Sequence, residues 1–203
     1  MAAGLPIRRI EALTDGVFAI AMTLLVLGVE LPRGADSLWS RLLVLWPKLA
    51  CYVLSFVMLG VLWIGHHYQL HHIRRTDRAL IWLNLAFLLV ITFLPFSTGV
   101  MASERLDPAA VALYGGSIIA AGAALYAHWA YATARPALVN PGLDSKLVAT
   151  LKLRIVAGIA LSGVAIAVAY IDTRISLGLF LVLPVAYWWR SRADDLVGDD
   201  APD

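Results

Sequence analysis

Residues 9–31 read RIEALTDGVFAIAMTLLVLGVEL, and this stretch decides how the chain folds. From Gly16 to Val29 it is apolar enough to cross a bilayer, yet Arg9, Glu11 and Asp15 lie in the two turns just before that run. A charged side chain at the bilayer centre costs ~2.5–3.5 kcal/mol on insertion scales, so such groups face protein or water rather than lipid. The pattern predicts a membrane-spanning helix with a polar end, and it makes this helix a candidate to line an ion pathway.

The composition is that of an integral membrane protein. The chain is 61% hydrophobic and only 15% charged, which is far from the usage of soluble domains. A single cysteine, Cys51, excludes an intramolecular disulfide framework and any site with several cysteine ligands. The sequence contains no phosphate loop, dinucleotide fingerprint, nucleophile elbow or zinc-protease motif, so we expect neither enzymatic activity nor a cofactor.

Six segments are long and apolar enough to span a bilayer, which requires ~20 residues. They predict an all-α integral membrane protein with one membrane domain over residues 1–193 and an acidic, disordered cytoplasmic tail over 194–203. The stretch 36–46 before Pro47 either lies flat at the interface or extends the second span. The six predicted spans are 10–31, 44–69, 79–101, 109–133, 150–171 and 174–190.

Lys and Arg are distributed unevenly between the two ends of these segments. If the N-terminus is inside, eleven of the 16 Lys and Arg residues fall on the inner side and five on the outer side. Because cytoplasmic loops of membrane proteins carry the excess of these residues, we predict that both termini are cytoplasmic. We expect the protein in a cell membrane, the plasma or inner membrane.

The first helix has two distinct faces. On a helical wheel of 100° per residue, an apolar stripe with one hydroxyl lies within about 60° of Ile20, while Glu11 and Asp15 point to the opposite side. The stripe is either a packing surface against neighbouring helices or the lining of a pathway, and spacing alone leaves both open. Its members are Leu13, Gly16, Ile20, Thr23, Leu24, Leu27 and Leu31.

The motif from Arg9 through Leu13-Thr14-Asp15 to Leu27 resembles the first-helix signature of the transmembrane protein 175 family of potassium channels. That signature reads Arg-x-x-x-Phe-Ser-Asp followed by a run like Gly-Val-Phe-Ala-Ile-Ala, and this chain has Leu13 and Thr14 where the family has Phe and Ser. Further similarity lies in Trp63-Ile64-Gly65-His66-His67 and in Leu83-Asn84-Leu85 with Leu94-Pro95-Phe96. The resemblance implies a potassium channel of the prokaryotic type, whose single six-helix unit assembles as a homotetramer with helix 1 around the pore.

The resemblance also assigns roles on the first helix. It implies that Ile20 forms a hydrophobic constriction, that Leu24 and Leu27 line the pore above it, and that the Thr23 hydroxyl sets a modest preference for K⁺ over Na⁺. A carbonyl filter of the Thr-Val-Gly-Tyr-Gly type is absent from the sequence. K⁺ and other monovalent cations are then the permeant ions, and nucleic acid is not an expected partner.

Asp15 lies in the motif but points away from the stripe. We interpret it as part of a structural network with Arg9, Leu13 and Thr14, because an unpaired acid inside a membrane protein is costly. An alternative is that Asp15 itself lines the pore as a cation site. Its candidate partners are Trp63, His66, His67 and Asn84.

The pattern His66-His67-xxx-His71-His72 supports a competing function. His67 and His71 share a helix face, which would suit a divalent metal, and a histidine-dependent metal or proton-coupled transporter is therefore the second hypothesis. His128 stands by itself in the sequence, and further ligands on other helices are not evident. We therefore expect no metal site. A non-conducting scaffold is a third possibility.

Overall fold

The computed structural model describes residues 7–32, 37–104, 107–182 and Pro184. Within these ranges the chain forms six helices, which confirms the predicted all-α class. The predicted tail 194–203 and the end of the sixth predicted span lie outside the described residues. The helices are α1 (Ile7–Leu24, continued by a 3-10 helix, Leu25–Gly28), α2 (Leu38–His71), α3 (Arg78–Ser103), α4 (Pro108–Thr133), α5 (Ser145–Ala169) and α6 (Thr173–Val182).

Five of these helices are long and apolar enough to cross a membrane, counting α1 with its 3-10 end as one. The described part of α6 is a shorter apolar helix, which follows α5 after the turn around Asp172. The second and fifth predicted spans, 44–69 and 150–171, fall on α2 and α5, and these helices begin earlier, at Leu38 and Ser145.

Side-chain caps explain where the later helices begin. Each of α2 to α6 follows a Ser or Asp whose side-chain oxygen accepts a hydrogen bond from a backbone N–H of the first turn, at 2.7–3.3 Å. Such a cap satisfies one of the N–H groups that an α-helix leaves without an intrahelical partner. The capping residues are Ser37, Asp77, Asp107, Asp144 and Asp172.

Pro47 lies inside α2 rather than ending it. The helix runs 34 residues from Leu38, or about 51 Å at 1.5 Å per residue, which exceeds the ~30 Å hydrocarbon core. The stretch before Pro47 therefore extends α2, which resolves the alternative of a separate interfacial segment. Proline is tolerated in transmembrane helices where neighbouring groups satisfy the freed carbonyl.

Close approaches hold α4 against α5 and α6. A Cβ built on Gly115 would lie 2.7 Å from Ile166 Cγ1 and 2.9 Å from Phe180 Cζ, so any larger residue would force these two side chains to shift. The neighbouring Tyr114 ring meets Phe180 edge-on at 5.3 Å. These contacts fix the scaffold on which the α1–α3 half of the molecule rests.

The α2–α3 and α4–α5 connections lie together at one end of the bundle. The backbone N–H groups of Arg74 and Arg75 both donate to the Leu138 carbonyl, at 2.9 and 3.2 Å, and Ile73 forms an isolated antiparallel bridge with Val139. We call this the connected end. It carries most of the arginines and lysines between the helices.

Candidate functional site

The first helix buries one face and exposes the other. Phe18 and Ala21 are each only 1% exposed, and Phe18 packs against Phe87 of α3 with ring centroids 5.9 Å apart. On the other side Ile20 is 61% exposed and Leu27 is 70% exposed, although both are large and apolar. The exposed arc coincides with the stripe that the helical wheel centred on Ile20.

The stripe continues from the α-helix into the 3-10 end. Leu13 and Leu24 are exposed on it, so Leu13 lies with the stripe rather than beside the partners of Asp15. Beyond Leu24 the helix tightens at Leu25–Gly28. Because side chains three residues apart eclipse in a 3-10 helix, Leu24 and Leu27 stay on the same side. The tightening thus keeps the apolar stripe continuous to the end of the helix.

Thr23 is the one hydroxyl on this stripe. Its Oγ1 donates a hydrogen bond to the carbonyl oxygen of Ile20, at 2.8 Å. Because the hydroxyl proton is donated to the backbone carbonyl, the oxygen lone pairs remain available to an approaching cation. A hydroxyl held in this way is an acceptor, which is the character that a cation requires.

Asp15 is paired with Trp63, one of its four predicted candidates. The indole Nε1–H donates to Asp15 Oδ1 at 2.8 Å, and the Trp63 ring stacks on His67 with centroids 5.4 Å apart. Asp15 is exposed and lies on the flank of α1 between the stripe and the buried face. Arg9, one helix turn before Leu13, is also exposed. The contact ties α1 to α2 near the polar end of α1.

His66 and Asn84 lie in the interior behind α1. Both are buried, as is Thr14 on the inner face of α1. The His66 ring stacks on Phe87 at 4.8 Å with an interplanar angle of 14°. These three predicted residues thus support the packed face of α1, whereas Asp15 and Trp63 hold its flank.

Sequence reasoning missed the place of His128. It is fully buried on α4, with its ring 5.1 Å from that of His66 and its Nδ1 3.2 Å from Gln69 Oε1. The Gln69 amide in turn donates to the Leu125 carbonyl at 3.5 Å. Because His66 and His128 are 62 positions apart and on different helices, spacing along the chain contains no signal of this pair.

The remaining histidines of the motif lie near the end of α2. His72 Nδ1 is 2.9 Å from the Tyr68 carbonyl, and the His71 and His72 rings meet edge-on at 5.4 Å. In the part of the chain that the structure describes, no three His, Cys, Asp or Glu side chains are grouped closely enough to hold a metal ion.

Comparison with known proteins identifies the motif. A family model described as the endosomal/lysosomal potassium channel TMEM175 matches residues 9–95. A potassium channel of Streptomyces collinus is 33% identical over 185 residues, covering 88% of this chain and 90% of that protein. A potassium channel of Chamaesiphon minutus is 34% identical over 192 residues, covering 91% and 95%.

The fold is also shared with a solved structure. The crystal structure of a lysosomal potassium-selective channel TMEM175 homolog from Chamaesiphon minutus superimposes with a TM-score of 0.80 at 33% identity, covering 91% of this chain and 97% of that one. All of these similar proteins are described as channels, in agreement with the expectation that the chain is not an enzyme.

Proposed function

This chain belongs to the TMEM175 family of channels, and on that premise we propose that it conducts K⁺ through a pore lined by α1. The observation that supports this function best is the continuous apolar stripe of α1, which a single subunit leaves uncovered. Ile20 and Leu27 are 61% and 70% exposed, while the opposite face of the same helix is packed. A helix that is packed on one face and exposes an apolar stripe on the other is the element expected next to a pore axis.

The pore is completed by four copies of the chain. A closed ring of identical subunits repeats one surface around a symmetry axis, so four α1 stripes would face each other across the centre. The chain carries one six-helix unit, as the single-unit channels of the resemblance do. The homotetramer is therefore part of the proposal.

Ile20 forms the narrowest ring of this pore, with Leu24 and Leu27 lining it above. Methyl groups cannot replace the hydration shell of an ion, so a narrow apolar ring excludes ions and gates by dewetting. Widening the ring by a small displacement of α1 lets water, and then ions, through. No carbonyl filter is needed for this mode of gating.

Thr23 gives the pore its preference for K⁺ over Na⁺. Its hydroxyl proton is bound to the Ile20 carbonyl, so four such oxygens would face a passing cation with lone pairs. Four hydroxyls form a weaker field than stacked backbone carbonyls, which makes the preference modest. K⁺ acts here as the permeant ion, and the mechanism requires no cofactor.

Motif residues away from the stripe hold α1 in place. Asp15 is tied to Trp63, and Thr14, His66 and Asn84 lie behind the packed face. Residues 1–193 form the channel domain in a plasma or inner membrane. The excess of Lys and Arg at the connected end supports cytoplasmic termini and a cytoplasmic tail over 194–203.

Flux measurements on purified protein in liposomes test this function. We expect K⁺ flux to exceed Na⁺ flux, and Ile20→Asn to raise both by wetting the constriction. Leu89→Asn is the matched control, because Leu89 is an equally apolar residue, 72% exposed, on α3 rather than on the stripe. No flux from wild type or Ile20→Asn, in a preparation shown to be tetrameric, would refute the channel.

The same experiment separates the channel from the histidine-dependent transporter. For a channel, His71→Ala and His72→Ala leave the flux nearly unchanged, whereas a transporter loses saturable uptake in these variants. A scaffold shows neither flux nor a response to any of the substitutions.

A further inference from the structure

We propose that a groove between α2 and α5 binds one anionic phospholipid, with an acyl chain along its apolar wall and the phosphate at Arg154. The groove is a cavity of about 220 Å³ with residues of α4 at its base, and no residue of the α1 stripe lines it.

The groove has one polar end and is otherwise apolar. Gln69 of α2 and Arg154 of α5 line its polar end, whereas its deep end is lined by Met58 and Ile118. Its wall includes Gly65 and other small residues that leave room for a chain between the helices. An amphipathic molecule with one charged end matches this division.

The groove has the length of one bilayer leaflet. From Gln69 to Met58 is eleven residues of α2, or about 16 Å at 1.5 Å per residue. Half of a ~30 Å hydrocarbon core is about 15 Å. Gln69 lies two residues before the end of α2 at His71, whereas Arg154 lies nine residues after the start of α5, about 14 Å along the helix, so its long side chain must reach towards the headgroups. An acyl chain of that leaflet therefore fits the groove lengthwise.

The charge at the polar end selects an anionic headgroup. Arg154 is half-buried in the lining of the groove, and Arg74 and Arg75 lie at the connected end of the bundle. A guanidinium carries five N–H donors in a planar fork that matches a phosphate, so it can engage a phosphate in addition to protein neighbours. A long cationic side chain inside a membrane helix also extends towards the headgroup region, with its methylene groups along apolar surface.

Lipid binding is measured by native mass spectrometry of the purified, delipidated protein titrated with dioleoyl phosphatidylglycerol or with dioleoyl phosphatidylcholine. We expect phosphatidylglycerol to bind more tightly than phosphatidylcholine. Arg154→Gln should lower the affinity for phosphatidylglycerol by about ten- to hundredfold, the loss that follows removal of a charge-assisted hydrogen bond. Arg174→Gln, at the opposite end of the bundle, is the control and should bind as wild type does.

A second pair of variants tests the apolar wall. Ala157 lines the groove and is exposed, so Ala157→Phe fills it without displacing core residues. Ala160 is also exposed on α5 but does not line the groove, so Ala160→Phe is the matched control. We expect Ala157→Phe to weaken the binding of both lipids and Ala160→Phe to leave the binding of both unchanged.

Two results would overturn the proposal. Equal binding of both lipids to wild type and all four variants would mean that only the general lipid shell adheres. A loss of oligomer mass in Ala157→Phe, with lipid binding unchanged in Arg154→Gln, would mean that a second copy of the chain covers the groove. Lipid binding is measured without ion flux, so failure of the lipid proposal can be distinguished from failure of the channel function.

Discussion

Removing the hydrogen bond from Trp63 to Asp15 tests whether this contact holds α1 against α2. The Nε1 to Oδ1 distance of 2.8 Å lies in the range of charge-assisted hydrogen bonds. Such bonds contribute ~1.5–3 kcal/mol when shielded from water, whereas solvent-exposed charged pairs contribute ~0.2–1 kcal/mol. Asp15 is exposed in a single subunit. We expect the higher range in the assembled tetramer, because neighbouring copies would then cover this flank.

A double-mutant cycle isolates this energy. Trp63→Phe removes the donor, Asp15→Ala removes the acceptor, and the double variant removes both, so the non-additive part of the free energy of unfolding is the coupling. The free energies come from denaturant unfolding in detergent, followed by far-ultraviolet circular dichroism. Trp82→Phe is the control, because Trp82 is 63% exposed on α3, and we expect it to change stability by less than about 0.5 kcal/mol.

A coupling of about 1.5–3 kcal/mol supports the shielded contact. A coupling below about 0.5 kcal/mol would refute it, because the bond would then be exchanged freely with water. The orientation of α1 would in that case rest on its packed face alone, and Asp15 would be open to the alternative role of a cation site in the pore.

Two further predictions concern packing and selectivity. Gly115→Ala should destabilise the protein by ~1–3 kcal/mol, or roughly 2–4 °C of melting temperature per kcal/mol, because its Cβ would press on Ile166. A Cβ on Gly116 meets nothing within 4 Å, so Gly116→Ala is the control and should leave the melting temperature unchanged or raise it. The melting temperature is measured by heating samples and following the oligomer peak in size-exclusion chromatography. An equal decrease in both variants would contradict the argument. Thr23→Val should lower the K⁺ over Na⁺ permeability ratio, measured from reversal potentials, with unchanged melting temperature. An unchanged ratio would exclude contact between this hydroxyl and the ion.

The two faces of α1 could be predicted because helical periodicity is a local property. The wheel placed Ile20 and Leu24 on one side and needed only the 100° step between residues. Phe18 and Ala21 are packed away from the stripe, whereas Asp15, which the wheel placed opposite the stripe, is exposed on the flank of α1. The wheel could not decide what covers each face, since a pore stripe and a packing stripe have the same spacing.

Contacts between helices were predicted less completely. The partner of Asp15 was narrowed to four residues, of which Trp63 makes the bond, because the resemblance supplied the motif. The approach of His128 to His66 has no sequence signal, since it depends on how α4 packs against α2. The start of α2 was left open between an interfacial segment and an extension of the second span, and the Ser37 cap at the beginning of the helix decides for the extension.

The way in which α1 is held constrains how the proposed pore opens. Phe18 fills a space beside Phe87 and is 1% exposed. Rotating α1 about its own axis would carry Phe18 out of that space, and unfilled volume costs ~24 cal/mol per Å³ in addition to the lost aromatic contact. A displacement of α1 that leaves Phe18 beside Phe87 avoids this cost and still widens the ring at Ile20. The packed face of α1 therefore opposes opening by rotation of α1 about its own axis.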